Sequence, residues 1–416
     1  MFGRWGTVRC FGNGCRVVKR CDGIGGRWKS AAGVSKMRVL QVTNIVSHHQ
    51  LPLARQLAAR LGPGCFRLAA TQAPFPERVR LGWDTGRDEE WVLRPGERRS
   101  DQAEYMDWWE RSDVVLCGDR LLDLFQSRLE RGRLVCYMSE RWWKPPIGMA
   151  RLCFPGSLRM ALRFRAMARS PMFQYLAAGK YAASDMGRLV PLGGRSWRWG
   201  YFPPEPEDGA VREPGGDTFR VLWAGRMLGW KRVDTLLRGF GVLSKDRGNT
   251  RLTLIGRGPR ETDLRRLVAR LGLCGNVSFQ PACQANEVRE WMRRADVYVL
   301  PSNGYEGWGA VLNEAMGEGC AAVACEEVGA ARELIRDGEN GRLFRVGDWR
   351  GLGAILRSLR DSPLDCKRIS EAGVRTVCDE WSPGVAAARL LAVCEAVLGK
   401  KAAPEFPSGP MSRVGE

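Results

Sequence analysis

From Met37 onward, short apolar runs of strand length alternate with segments of helical periodicity, and this alternation limits the fold more than any other feature of the chain. Strands apolar along their whole length need cover on both faces, which a parallel sheet flanked by helices supplies. Arg38–Val42 is the first such run. It leads through Thr43–Ser47 into a helical pattern over His49–Leu61, closed by Gly62 and Pro63. Phe66–Ala70, Asp113–Cys117 and Leu134–Met138 read as further strands, with a helix over Arg120–Arg131 between the last two. Lys180–Ser184 also reads as a strand.

Residues 201–217 are rich in Pro, Gly and acid and form a linker, after which the alternation restarts. Strands are predicted over Phe219–Ala224, Arg251–Ile255, Val277–Gln280, Val297–Pro301 and Ala321–Cys325. Helices are predicted over Val233–Ser244, Glu261–Leu271, Ala285–Arg294, Val311–Glu318 and Ala330–Arg336. The expected fold class is α/β, with two doubly wound domains, 37–200 and 218–380, facing across a cleft. Ligands of such sheets bind at the carboxyl ends of the strands. Residues 381–400 hold one more amphipathic helix, Pro383–Leu398, placed to fold back on the first domain, and 401–416 read as a flexible tail.

The 416 residues carry 65 Lys and Arg against 46 Asp and Glu, a formal net charge of +19. Nucleic acid, anionic lipid and phosphorylated substrates all suit a basic chain. No helix-turn-helix, zinc-finger or RNA-binding signature singles out nucleic acid. The 14 Cys form neither CxxC pairs nor Cys/His clusters and read as reduced thiols. Residues 1–36 hold eight Lys or Arg and one acid without helical or strand periodicity. They read either as a mis-assigned upstream translation ahead of Met37 or as a disordered basic extension. Residues 151–170 hold five Arg, no acid, and Leu158, Met160, Leu162, Phe164 and Met167. As a helix this segment suits an anionic membrane surface, or equally a solvated helix with an ordinary buried stripe.

Two constellations carry chemistry. After the strand ending at Pro301, Glu306 stands in a Gly-rich turn with Gly304, Gly307 and Gly309, and Glu314 follows eight residues later on a helix. Carboxylates accept paired hydrogen bonds from sugar hydroxyls, and a helix start favours phosphate. The bland alternative is a solvated loop Glu and an exposed helical Glu. After strand Phe219–Ala224 come Gly225, Arg226 and Lys231, two cations able to clamp a diphosphate and stabilise its departure.

Gly225-Arg226…Lys231, Gly256-Arg-Gly-Pro259, Glu306…Glu314 and the run Gly329–Leu343 together resemble the C-terminal domain of retaining glycosyltransferases of family 4. That resemblance covers roughly 219–345 and implies the GT-B fold, two Rossmann-like domains. It implies that Arg226 and Lys231 bind the donor diphosphate, that Glu306 holds the transferred sugar with the amides of Gly307, Trp308 and Gly309, and that Glu314 binds ribose. It also implies that Gly256 and Gly258 border the nucleobase.

Thr43–Leu53, Tyr137–Arg141 and Trp199-Gly-Tyr-Phe-Pro resemble bacterial polysaccharide-assembly members of the family. Many relatives have a glycine pair where this chain has Asn44-Ile45-Val46, and a His about where Ser139-Glu140-Arg141 stands. Glu140 is the candidate to replace that polar group. His48 and His49 either touch donor or acceptor or serve as capping and packing residues.

The resemblance implies a retaining, metal-independent hexosyltransferase using a UDP- or GDP-sugar and no cofactor. A glycan on a polyisoprenyl lipid is the expected acceptor, and the cytoplasm, at the inner face of the plasma membrane, the expected location. A GT-B sugar-nucleotide epimerase is the rival reading.

Overall fold

The computed structural model describes residues 37–83, 86–118, 122–206, 217–244 and 249–414. The readings made for residues 1–36, and most of the linker, lie outside these residues.

The first domain has strands β1 Val39–Thr43, β2 Phe66–Ala70, β3 Val92–Leu93, β4 Val114–Cys117, β5 Leu134–Ser139, β6 Phe173–Ala178 and β7 Ser196–Trp199. They form one parallel sheet ordered β3-β2-β1-β4-β5-β6-β7. The second has β8 Phe219–Ala224, β9 Thr250–Ile255, β10 Val277–Gln280, β11 Val297–Leu300, β12 Ala321–Cys325 and β13 Arg342–Phe344, ordered β10-β9-β8-β11-β12-β13, again parallel. Strand order reverses between β1 and β4 and between β8 and β11, the switch points where open sheets bind ligands. This is the doubly wound α/β pair expected from the alternation, and its architecture is GT-B.

Every residue of β1, β4, β6, β11 and β12 is buried, as strands covered on both faces require. Within β1 the alternation splits the core. Leu40 and Val42 join the apolar cluster on one face, and Val39 joins the cluster on the other.

Three expectations are corrected. Lys180–Ser184 lies in a helix, Lys180–Gly187, and the strand is the preceding run Phe173–Ala178, closed by Gly179 at φ 96. Ala330–Arg336 contracts to Ala331–Leu334. Residues 401–414 are not a free tail. Arg198 donates to Ser412, Met411 to Arg198 and Val414 to Ser196, and Arg413 lies 4.2 Å above the Trp197 ring. An edge strand such as β7 offers unpaired backbone groups, and the chain end takes them.

Helix Pro383–Leu398 packs on helix Leu51–Leu61 of the first domain. Cys394 meets Cys136 of β5 at 3.8 Å between sulfurs, and Arg60 donates to the Gly384 carbonyl. Pro363–Leu398 is long and apolar enough to cross a membrane by composition, but here it breaks at Ser382, whose hydroxyl caps the last helix.

Candidate active site

The rim of the second sheet is built from backbone fitted to backbone. The buried Tyr298 of β11 donates to the Ala224 carbonyl at 3.1 Å and so fixes the end of β8. Burial pushes that phenol far above its usual range. Beyond β8, Gly225 donates to Ile255 and Met227 to Arg257, which zips the turn after β8 to the turn after β9. A Cβ at Gly256 would stand 2.0 Å from the Gly225 carbonyl oxygen, so only glycine fits, and its φ of 124 suits it.

These turns present the cations. Arg226 is exposed and makes no ion pair among the described residues. Lys231 ends the short turn Gly229–Lys231, and its Nζ donates to Glu306 Oε2 at 2.5 Å with both side chains mostly buried. The Glu306 loop is tied to the Lys231 turn by Asn303 donating to the Trp230 carbonyl at 2.9 Å. Arg226, Lys231 and Glu306 thus share one rim.

Glu314 sits on helix Val311–Gly317 and points across the cleft. Its Oε1 accepts from His49 Nε2 at 3.1 Å and lies 3.5 Å from His48 Nε2. Burial by itself would raise this carboxyl, but the two imidazoles hold it well below the ordinary carboxylate range. The ligating atoms of His48, His49 and Glu314 lie within 4.8 Å of one another, close enough to share a cation.

Glu140 follows β5 and reaches the same rim. Its Oε1 accepts from the Trp308 amide at 3.2 Å and from the Tyr201 hydroxyl at 3.4 Å, and its Oε2 lies 3.5 Å from Lys144 Nζ. The Glu140 charge, then burial, push the Tyr201 phenol far up. A Cβ at Gly307 would fall 1.7 Å from the Glu140 carboxylate, so glycine there is what lets the two domains meet. Asp185 accepts from the Trp142 and Trp143 amides at 2.8 and 2.9 Å and thereby orients the Glu140 loop.

Trp308 was expected to contribute its amide, and its side chain packs away from the cleft. Its indole is 0% exposed, donates to Asn313 Oδ1 at 2.8 Å and lies against Trp381. Its amide lies on the cleft side, where it donates to Glu140 Oε1. Gly258 turns inward too, against the Met227 backbone.

Sequence reasoning passed over Tyr201, Lys144 and Arg78. Tyr201 was visible within the Trp199-Gly-Tyr-Phe-Pro stretch. Arg78 had no local signal, since only folding brings its helix, Pro76–Arg80, to the cleft. Arg78 lies 4.5 Å above Trp83, whose ring packs edge-on against His48. Burial, and then repulsion from Arg226, lower its pKa. Two guanidiniums near enough to repel each other make an anion-attracting field.

Residues 206–376 match the family model of glycosyl transferases, group 1. A D-inositol 3-phosphate glycosyltransferase from Thermomonospora curvata is 34% identical over 169 residues, 38% of this chain and 38% of its own length. A phosphatidyl-myo-inositol mannosyltransferase from Mycolicibacterium smegmatis is 36% identical over 149 residues, 36% of this chain and 37% of its own length. The chain thus aligns with well under half the length of these relatives.

By structure it is similar to Anabaena HepE, solved in complex with UDP and glucose, with a TM-score of 0.61 and 14% identity over 85% of this chain and 98% of that one. It is likewise similar to WaaG, a glycosyltransferase of lipopolysaccharide biosynthesis, with a TM-score of 0.56 and 17% identity over 84% of this chain and 98% of that one. At such identities the likeness shows the fold alone.

Proposed function

We propose that this protein is a retaining glycosyltransferase that moves a hexose from a UDP- or GDP-sugar to a hydroxyl of a lipid-linked glycan. The carrying observation is one rim, at the β8/β11 switch point, that holds the cations Arg226 and Lys231, the carboxylate of Glu306 and a glycine-rich turn. Arg226 and Lys231 receive the diphosphate, Glu306 the hexose hydroxyls and Glu314 the ribose. As the bond from the anomeric carbon to the diphosphate oxygen breaks, the acceptor oxygen bonds to that carbon on the same face. The acceptor's proton passes to the departing diphosphate. The chain's share is positioning and charge stabilisation, and the reading uses no metal ion or cofactor.

Lys231 is held by Glu306 and Glu314 by two histidines, so donor binding exchanges internal partners for ligand groups. Thermal shifts against UDP-, GDP- and ADP-sugars test the donor, because a ligand that binds the folded state raises its apparent stability. Stabilisation by a UDP- or GDP-sugar is expected, and none by any of them defeats the reading.

A membrane-borne acceptor fits the face formed by the turn Gly148–Cys153 and helix Pro155–Met167. Ile147, Met149, Phe154 at 58% exposure, Leu158 and Leu162 at 59% stand out among Arg151, Arg159 and Arg163. Apolar anchors ringed by cations suit an anionic bilayer surface. Flotation with phosphatidylglycerol vesicles but not phosphatidylcholine vesicles is the expected outcome, and equal flotation removes the membrane part.

A further inference from the structure

His48 and His49 are the only two histidines in the 416 residues, and both meet one carboxylate. They stand in the turn between β1 and helix Leu51–Leu61 of the first domain, whereas Glu314 belongs to helix Val311–Gly317 of the second. The donor reading uses Glu314 for ribose but gives the histidine pair no chemistry of its own.

The geometry suits a chelate. Glu314 Oε1 stands 3.1 Å from His49 Nε2 and 3.5 Å from His48 Nε2, and the three ligating atoms lie within 4.8 Å of one another. Atoms held about 2.0–2.1 Å from a tetrahedral zinc stand roughly 3.3 Å apart. The two observed separations bracket that value, and ring rotation closes the remaining gap. Packing presents the rings together: their centroids are 3.9 Å apart, and Trp83 lies edge-on to both at 4.5 and 5.9 Å. The three side chains are between 11% and 21% exposed, which keeps most bulk water out and still leaves an ion a way in.

Imidazoles with a carboxylate select a borderline ion such as Zn²⁺ over Mg²⁺ or Ca²⁺, which prefer oxygen. Two histidines and one glutamate form a ligand set that holds zinc with its fourth position open. Anchoring Glu314 requires one imidazole, and a second on the same oxygen is what a chelate adds.

We propose that His48, His49 and Glu314 form a Zn²⁺ site that bridges the two domains and inhibits the enzyme, because the ion takes the carboxylate proposed for the donor ribose. The ion has no part in the transfer step. Coordination through both Nε2 atoms needs neutral rings, so a proton on Nε2 moves to Nδ1 or is released to solvent. The inhibition rests on the donor reading, but the ion site is testable apart from it.

The test loads the metal-free, tag-free full chain with Zn²⁺, whose free concentration a metal buffer fixes so that nucleotide phosphates do not compete for it. X-ray absorption at the zinc edge should show two imidazoles and a carboxylate oxygen, a signature that no other histidine in the chain can supply. A shell of sulfur, which the 14 Cys would give, overturns the site. His48→Phe keeps a ring against Trp83 and removes the ligating nitrogen. It should weaken zinc at least about tenfold, since losing even an outer-shell partner costs that much. His49→Gln serves if that variant does not fold, and unchanged zinc affinity in a folded variant overturns the site.

Zn²⁺ at about ten times its dissociation constant should raise the melting temperature and weaken the best-bound nucleotide sugar about tenfold by mass action. Mg²⁺ at the same level should do neither. Nucleotide-sugar affinity untouched by saturating zinc overturns the inhibition. Histidine-ligated zinc in a chain that binds no nucleotide sugar would keep the ion site and remove the donor reading.

Discussion

The two sheet rims that face each other are finished to different degrees. In the second domain, backbone locks backbone: Gly225 against Gly256, Met227 against Gly258, and Trp230 bonded to Asn303. Charges are paired or sit at the surface. In the first domain the rim surrounds a cavity, and the Oε1 of the buried Gln41 beside it lacks a hydrogen-bond partner. On the proposed reading, a diphosphate and a ribose present the same few groups whatever sugar they carry, and turns fixed by main-chain contacts hold Arg226, Lys231 and Glu314 in place for them. The difference separates a rigid binding rim from an adaptable one.

The comparison breaks first at Lys231. Lys231→Ala should cut turnover about a hundredfold or more, as loss of a preorganised charge does, while the protein still folds. Product formation from a UDP- or GDP-sugar measures it, and full turnover would undo the assignment of the second rim.

The glycines come next, because they sort rigidity from adaptability. At Gly256 an added methyl meets fixed backbone, so Gly256→Ala should cost about 3 kcal/mol or more in urea denaturation. At Gly307 the same methyl meets the end of the Glu140 side chain, which can swing away. Gly307→Ala should therefore lose less stability and more activity. Equal stability losses would erase the distinction.

Asp185→Ala removes the acceptor of two amides and should cost about 1–3 kcal/mol for each amide left buried and unpaired. The measured loss in urea would sharpen how far the Glu140 loop depends on that carboxylate. A loss below the lower figure would mean water replaces it.

The smallest expected effect is pH dependence across the cleft. The folded-state pKa of Glu314 lies below its unfolded value, so its stabilising contribution is fully present above the unfolded carboxylate range. It is lost as pH falls through that range toward the folded value. His49→Ala, which takes away one donor to Glu314, should flatten the acid limb of stability against pH, and an unchanged limb would dismiss the contact as energetically idle.

Much of the second domain was legible in its residues. Val277–Gln280 and Ala285–Arg294 fold with the bounds that periodicity assigned, and Glu306 and Lys231 proved to be neighbours. Lys180–Ser184 misled because a short apolar run has no period long enough to tell helix from strand. Trp308 lay inside a recognisable motif, but motif spacing carries no information about which side of the chain faces solvent. His48 and His49 stood open between packing and function. Their contact with Glu314, 265 residues away for His49, depends on how two domains meet.

The sequence alone determined two parallel α/β domains, because buried strands and helices of fixed period admit few other arrangements. It also singled out Arg226, Lys231, Glu306 and Glu314 as candidates, since each lies in or just after a turn that follows a strand. Tertiary structure alone decided that Glu140 caps the Gly307 turn, that Arg78 comes within the field of Arg226, and that Gln41 borders a cavity instead of filling the core. Those facts depend on segments far apart in the chain reaching the same few cubic ångströms, and no local pattern records that meeting.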